Sequence, residues 1–241
     1  MNPEKEVLKH LRALLERDIR INLHRYPIHL FFQDGDLVME GEVEDISVKK
    51  VALELAGSAR GIGRIIDRLR VVPAEPMGDA EIGDHVCRVL LEEPAFENCF
   101  IQDAADGRAQ TITEAPPEVA GMIVVEVSDG VVMLNGQVPS LAHKRLAGVL
   151  AWWVPGTRDV VNGLEEVPTE QECDEDLTDA VRLVLEKDPF VNADKIRVSS
   201  KDFVVTLEGF TTHETMRQMA ERDTWYVFGV DRVINRIQVQ R

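Results

Sequence analysis

The sequence predicts an α/β (α+β) protein of tandem small α-β-β-α-β modules. Each module is a three-stranded mixed sheet with two helices on one face. Three observations predict this. Glycines recur at one internal spacing: Gly41 precedes Gly61 by twenty residues, and Gly136–Gly156 and Gly209–Gly229 repeat the interval. The text after the second glycine also repeats, as Ile65-Ile66-Asp67, Val160-Val161-Asn162 and Val233-Ile234-Asn235. Around these marks the apolar period switches between helical and extended in the same order three times. The modules are placed at residues 1–75, 76–168 and 169–241.

Each module opens on a helix. Val7, Leu8, Leu11, Leu14 and Leu15 form the apolar stripe of the first, over roughly Glu4 to Glu16. Ile82, Val86, Val89 and Leu90 do so for Ala80 to Leu91, and Leu177, Val181, Val184 and Leu185 for Glu175 to Glu186. Pro94 and Pro189 stop the last two helices, because proline lacks the amide that would continue the ladder. A strand of period two follows, marked by Ile28, Leu30 and Phe32, by Ile123, Val125 and Val127, or by Ile196 and Val198. Turns are placed at Asp34-Gly35, Asp129-Gly130 and Lys201-Asp202, with Phe203 standing where the other copies have the turn glycine. A second strand runs to Met39, Leu134 or Leu207. The second helix covers Ser47 to Ala59, Leu141 to Val154 and Thr212 to Val227. Ala52, Ala147 and Ala220 share one position in it, which allows close approach to the sheet. Gly61, Gly156 and Gly229 are expected to end that helix with positive φ. A last strand closes each module. Copy two carries about 22 extra residues, mainly 98–120, including Asp103, Asp106, Gly107, Pro116 and Pro117. Such an insertion is a candidate binding element.

Charge restricts the partners. The chain carries a net charge of −16, unevenly spread. Residues 1–75 hold 13 acids and 12 bases, residues 76–168 hold 15 and 5, and residues 169–241 hold 15 and 10. The last two thirds repel phosphate backbones, so nucleic acid is excluded as a partner. No run approaches 18 continuous apolar residues. The N-terminal text, with Glu4 and Glu6, does not read as a secretory leader, so a cytoplasmic location is expected, or a periplasmic one if a leader precedes this sequence. Three cysteines, Cys87, Cys99 and Cys173, fit a reducing compartment.

Catalytic and cofactor signatures are weak. The six histidines form no His-Glu-x-x-His signature. His85, Cys87 and Cys99 match no strong zinc spacing, and Asp103 and Asp106 lack the calcium loop's terminal Glu. Gly57, Gly61 and Gly63 sit at a helix end, where a phosphate cradle needs a helix start. The acids of Glu172 to Asp179 read as a solvated helix entry. No enzyme, cofactor or metal is expected. The candidate binding residues are Arg60, Arg64, Arg68 and Arg70 for phosphate, and Trp153 and Tyr226 for a partner or membrane interface. Trp152 and Trp225 occupy aligned positions, and Trp153 and Tyr226 follow them; Gly57 and Ser58 stand there in copy one.

The frame resembles the BON domain, the bacterial osmotic-stress and nodulation family. The resemblance lies in the strands from Ile123 to Leu134 with Gly136, in Gly156, and in Val160-Val161-Asn162-Gly163-Leu164. It extends to Gly41 and Gly61 in copy one and to Gly209 and Gly229 in copy three. It implies three tandem copies of a non-enzymatic module that binds phospholipid membranes or mediates protein contacts in envelope and stress biology. The expected partner is therefore a protein or a membrane surface, or a further copy of this chain.

Overall fold

The computed structural model describes residues 3–104, 110–111, 119–169 and 173–240, of which residues 3, 110 and 111 are described by backbone alone. Three sheets are present among them. The first module runs α1 (Pro3–Arg17), β1 (Ile28–Gln33), β2 (Asp36–Val43), α2 (Ile46–Ser58) and β3 (Ile65–Val71). The second runs α3 (Asp79–Glu92), β4 (Cys99–Asp103), β5 (Gln110–Thr111), β6 (Gly121–Ser128), β7 (Val131–Val138), α4 (Leu141–Trp152) and β8 (Asp159–Glu166). The third runs α5 (Asp174–Lys187), β9 (Ile196–Lys201), β10 (Val204–Thr211), α6 (Glu214–Tyr226) and β11 (Arg232–Val239).

One topology serves all three. Each hairpin is antiparallel (β1 with β2, β6 with β7, β9 with β10), and the closing strand runs parallel to the hairpin's second strand. The predicted α-β-β-α-β frame is therefore present three times. The middle sheet adds two strands from the insertion, in the order β5-β4-β6-β7-β8. β4 lies parallel to β6 and sends Cys99 and Ile101 into the core beside Ile82, Leu90 and Phe96. Asp106, Gly107, Pro116 and Pro117 lie outside the described residues.

The repeated glycines have two separate causes. Gly41, Gly136 and Gly209 take φ of 147°, 123° and 139°. A Cβ there would lie 2.5, 2.1 and 2.0 Å from the carbonyl oxygens of Pro27, Met122 and Lys195. Only glycine lets the opposite strand come so close. The helix-ending glycines do not share one reason. Gly61 and Gly229 have positive φ, as expected, but Gly156 does not. A Cβ at Gly156 would instead meet Met77 Cβ at 2.6 Å and Ile82 Cγ1 at 2.9 Å. Tertiary packing requires glycine there, not the local backbone.

The third turn lies one residue later than its sequence placement, at Asp202-Phe203, with φ of 51° and 60°. Consecutive positive φ values make the mirror-image turn that suits a twisted hairpin, and they are unfavourable for a phenylalanine. The latch that holds this turn comes from α5: Asp174 carboxylate oxygens accept the amides of Asp202 at 2.8 Å and Phe203 at 3.0 Å. Asp79, at the start of α3, accepts Asp129 and Gly130 amides at 2.9 and 2.8 Å in the same way. Asp174 thus has a specific structural job, beyond the solvated helix entry its surroundings suggest.

A second clamp ties the closing strand to the second helix. Asn162 Nδ2 donates to Lys144 O at 2.7 Å and its Oδ1 accepts from Leu164 N at 3.3 Å. Asn235 repeats this with Arg217 O at 3.1 Å and Ile237 N at 3.1 Å. Module one has Asp67 at this position, and a carboxylate cannot donate. Lys49, aligned with Lys144 and Arg217, turns inward there. Its Nζ lies 2.9 Å from Asp67 Oδ2 and donates to Leu69 O at 3.0 Å. The burial of Lys49 follows from that one change of side-chain chemistry.

The chain forms two compact units, Met1–Val72 and Pro73–Arg241. The second and third modules share the latter. Among the described residues no helix is long and apolar enough to cross a membrane.

Candidate binding surfaces

The arginines of module one do not form a bare cationic patch. Arg68 and Arg70 alternate with buried Leu69, so they project from the sheet face opposite the core. In register beside them stand Glu40 and Glu42. Arg68 Nη1 lies 3.6 Å from Glu40 Oε2. Arg64, just before β3, makes a two-bond contact with Asp36 Oδ2, through Nε at 2.9 Å and Nη2 at 2.6 Å. That carboxylate raises the Arg64 pKa further above its ordinary range. Arg70 donates to Leu69 O at 3.0 Å. Arg60 is exposed beyond the helix end. Only Arg68 and Arg70 share a strand face, and acids interleave it.

Trp153 and Tyr226 lie between modules two and three. Trp152 stacks on Tyr226 with ring centroids 5.1 Å apart and planes 13° apart. The stack thus joins the first aromatic of one pair to the second of the other. Trp153 Nε1 donates to Asp223 Oδ1 at 2.9 Å. Trp225 is buried in module three. The same two modules also meet where Arg145 Nε donates to Phe228 O at 3.0 Å and Lys144 Nζ sits 4.6 Å from the Phe228 ring centroid. Lys187 Nζ reaches both Glu93 oxygens at 3.0 and 2.8 Å. Aromatic rings at aligned positions signal such a contact, but periodicity cannot say which ring meets which.

Asp223 is the functional-looking group that sequence reasoning missed. Burial, then a hydrogen bond with Asp188, pushes its carboxyl up to about 8, against the bond from Trp153. Nothing local marks it, because its partners Trp153 and Asp188 come from the residues just after α4 and just after α5.

Chemistry elsewhere is sparse. Burial first, then Asp103 and Asp84, pushes the Cys87 thiol up to about 12, so it is a core group and not a nucleophile. Cys99 is likewise buried and its pKa raised by burial. Among the described residues no group of three His, Cys, Asp or Glu could hold a metal ion. Ser140 Oγ lies 2.6 Å from His143 Nδ1, but this is a helix cap. The same Oγ accepts His143 N–H, and the ring packs edge-on against Phe96. A cleft between α4 and α5, lined by Ser140, Leu141, Arg145, Asp176, Asp179 and Leu183, mixes charges of both signs and aligns no nucleophile with a base.

Residues 118–168 and 174–241 match the BON domain family. The match covers the second module from β6 to β8 and the third module from α5 onward. The first, with the same strand order, is consistent with a third copy. Two solved structures of CdsD, a structural protein of the type III secretion system of Chlamydia trachomatis, are also similar. The one of its C-terminal domain is 13% identical and covers 97% of this chain and 98% of that one, with a TM-score of 0.25. The other is 13% identical and covers 98% and 92%, also with a TM-score of 0.25. At that score neither carries an argument here. No curated protein matches the chain. The BON match supports a binding or scaffolding protein.

Proposed function

We propose that this protein is a scaffold working through protein–protein contacts in bacterial stress or envelope biology. The observation that carries the reading is the interleaved face of module one. On it Arg68 already meets Glu40, and beside it Arg64 meets Asp36, so an anionic headgroup would have to displace those carboxylates. Two further facts support it. The aromatic pair that could enter a membrane interface is engaged between modules two and three. The net charge of −16 opposes approach to an anionic bilayer. BON domains generally serve protein or membrane contacts, so direct phospholipid binding is the second reading. It is favoured by module one alone, whose charge is close to balanced.

Co-sedimentation with neutral and anionic vesicles at two salt concentrations tests the choice. The expected result is protein left in the supernatant throughout. Pelleting with anionic vesicles that weakens with salt would replace the protein-contact reading with the lipid one and point to Arg60, Arg64, Arg68 and Arg70. Pelleting insensitive to salt would point to Trp153 or Tyr226.

A further inference from the structure

We infer that two copies of this chain pair through the β1 strands of their first modules, antiparallel, to form one continuous six-stranded sheet. The inference starts from what the three modules do with the same edge. β1, β6 and β9 are equivalent first hairpin strands. In module two, β6 is covered: β4 pairs along it through five residues, Cys99↔Gly121 to Asp103↔Val125. The frame therefore accepts another strand on this side. In module three, β9 is an edge but carries Arg197 and Lys201, the kind of charge that guards a strand against pairing. β1 reads Ile28-His29-Leu30-Phe31-Phe32-Gln33. It has no acid, lysine, arginine or proline, and among the described residues it pairs only with β2.

Burial shows the same difference. Val125 is 0% exposed beneath the helices of module two, whereas Leu30, its equivalent, is only half-buried, as is Phe32. Phe31 on the other face is 37% exposed. The edge thus carries no formal charge, is incompletely covered on the helix face, and exposes Phe31 between His29 and Gln33 on the other. Its hydrogen-bonding groups are also placed for pairing. The two-residue turn makes Gln33 and Asp36 the closing bonded pair, so His29, Phe31 and Gln33 bond to β2. Ile28, Leu30 and Phe32 then direct their amides and carbonyls outward.

A second copy fits this edge better than an unrelated strand for two reasons. Module one has 13 acids against 12 bases, whereas the rest of the chain is strongly acidic, so this is where two −16 chains repel least. An antiparallel pair is also self-complementary. With a two-fold axis at Phe31, the two Phe31 rings meet on the outer face and each Leu30 meets the other Phe32 on the helix face. The same arrangement carries the acidic turn at Asp34 toward the end of the second copy's β1 that follows His24 and Arg25.

The test is the mass of the full chain in solution by sedimentation equilibrium, across about two decades of concentration, for the natural sequence and for Phe31→Lys. The expected result is a concentration-dependent dimer that Phe31→Lys weakens at least tenfold, with an unchanged far-ultraviolet dichroism spectrum. Ser199→Lys on β9 should leave the mass unchanged. Phe31→Cys with Cys173→Ser reads the axis directly, since mild oxidation should give a disulfide-linked dimer. A monomer mass at every concentration overturns the inference. So does a dimer that both tolerates Phe31→Lys and fails to cross-link at position 31. The vesicle experiment is independent: a monomer that ignores vesicles removes the dimer and leaves the protein-contact reading standing.

Discussion

Gly57-Ser58 in α2 and Trp152-Trp153 at the end of α4 occupy the same place in the same frame. In the first module these positions carry no ring, and Met1–Val72 forms a compact unit. In the second, Trp152 and Trp153 reach Tyr226 and Asp223 of the third module, and the two modules share one compact unit. The clamp differs too. The first module closes on a buried cation, Lys49, paired with the carboxylate of Asp67, and the other two on neutral asparagines. A repeat frame thus leaves two independent choices open: how a module closes on itself, and which aromatic rings it offers at the end of its second helix.

The largest effects should come from the hairpin glycines. Gly41→Ala and Gly136→Ala each place a methyl group against a carbonyl oxygen at a positive φ, at a cost on the order of 3 kcal/mol. Calorimetry should resolve two transitions, one per compact unit. Gly41→Ala should lower one and Gly136→Ala the other, with the larger drop in Tm for the smaller first unit. A single transition lowered by both would break the two-unit comparison.

Acidity should separate the units next. An unfolded Asp223 loses its proton near 3.8, and the folded one near 8. Between those values the unfolded chain binds fewer protons, so stability falls as pH rises. The transition of the second unit should fall as pH rises from 5 to 8 through this group. Asp223→Asn should flatten that slope and leave the first unit's transition alone. An unchanged slope in the variant would remove Asp223 as its source.

The smallest effect is the stack itself. A double-mutant cycle on Trp152→Ala and Tyr226→Ala should give a coupling of about 1 kcal/mol in chemical unfolding. Ser58→Ala in the first module should change stability by less than about 0.5 kcal/mol. Zero coupling across the aromatic pair would show that the rings touch without holding the modules together.

Much of the fold is legible in the sequence. Pro94 and Pro189 ended their helices, and Asp-Gly marked two of three turns, because these signals act within a few residues. The third turn was misplaced by one residue since Phe203 gives no local hint that it can adopt a positive φ. Gly156 reads like its equivalents in the repeat, yet its cause is Met77 and Ile82, far away in the chain. The binding candidates were less legible. Arg64 and Arg68 were visible as cations, but Asp36 and Glu40 face them only once β2 and β3 pair.

By itself the sequence determined the repeated order of elements, the hairpins and the class of protein. Backbone preference and apolar period are local, and they repeat wherever the text repeats. Tertiary structure alone decided that Lys49 is buried on Asp67, that Trp152 meets Tyr226, that burial raises the Asp223 carboxyl, and that β4 covers β6. Each of those depends on distances between groups far apart in the chain, and such distances exist only after the sheets and helices have packed.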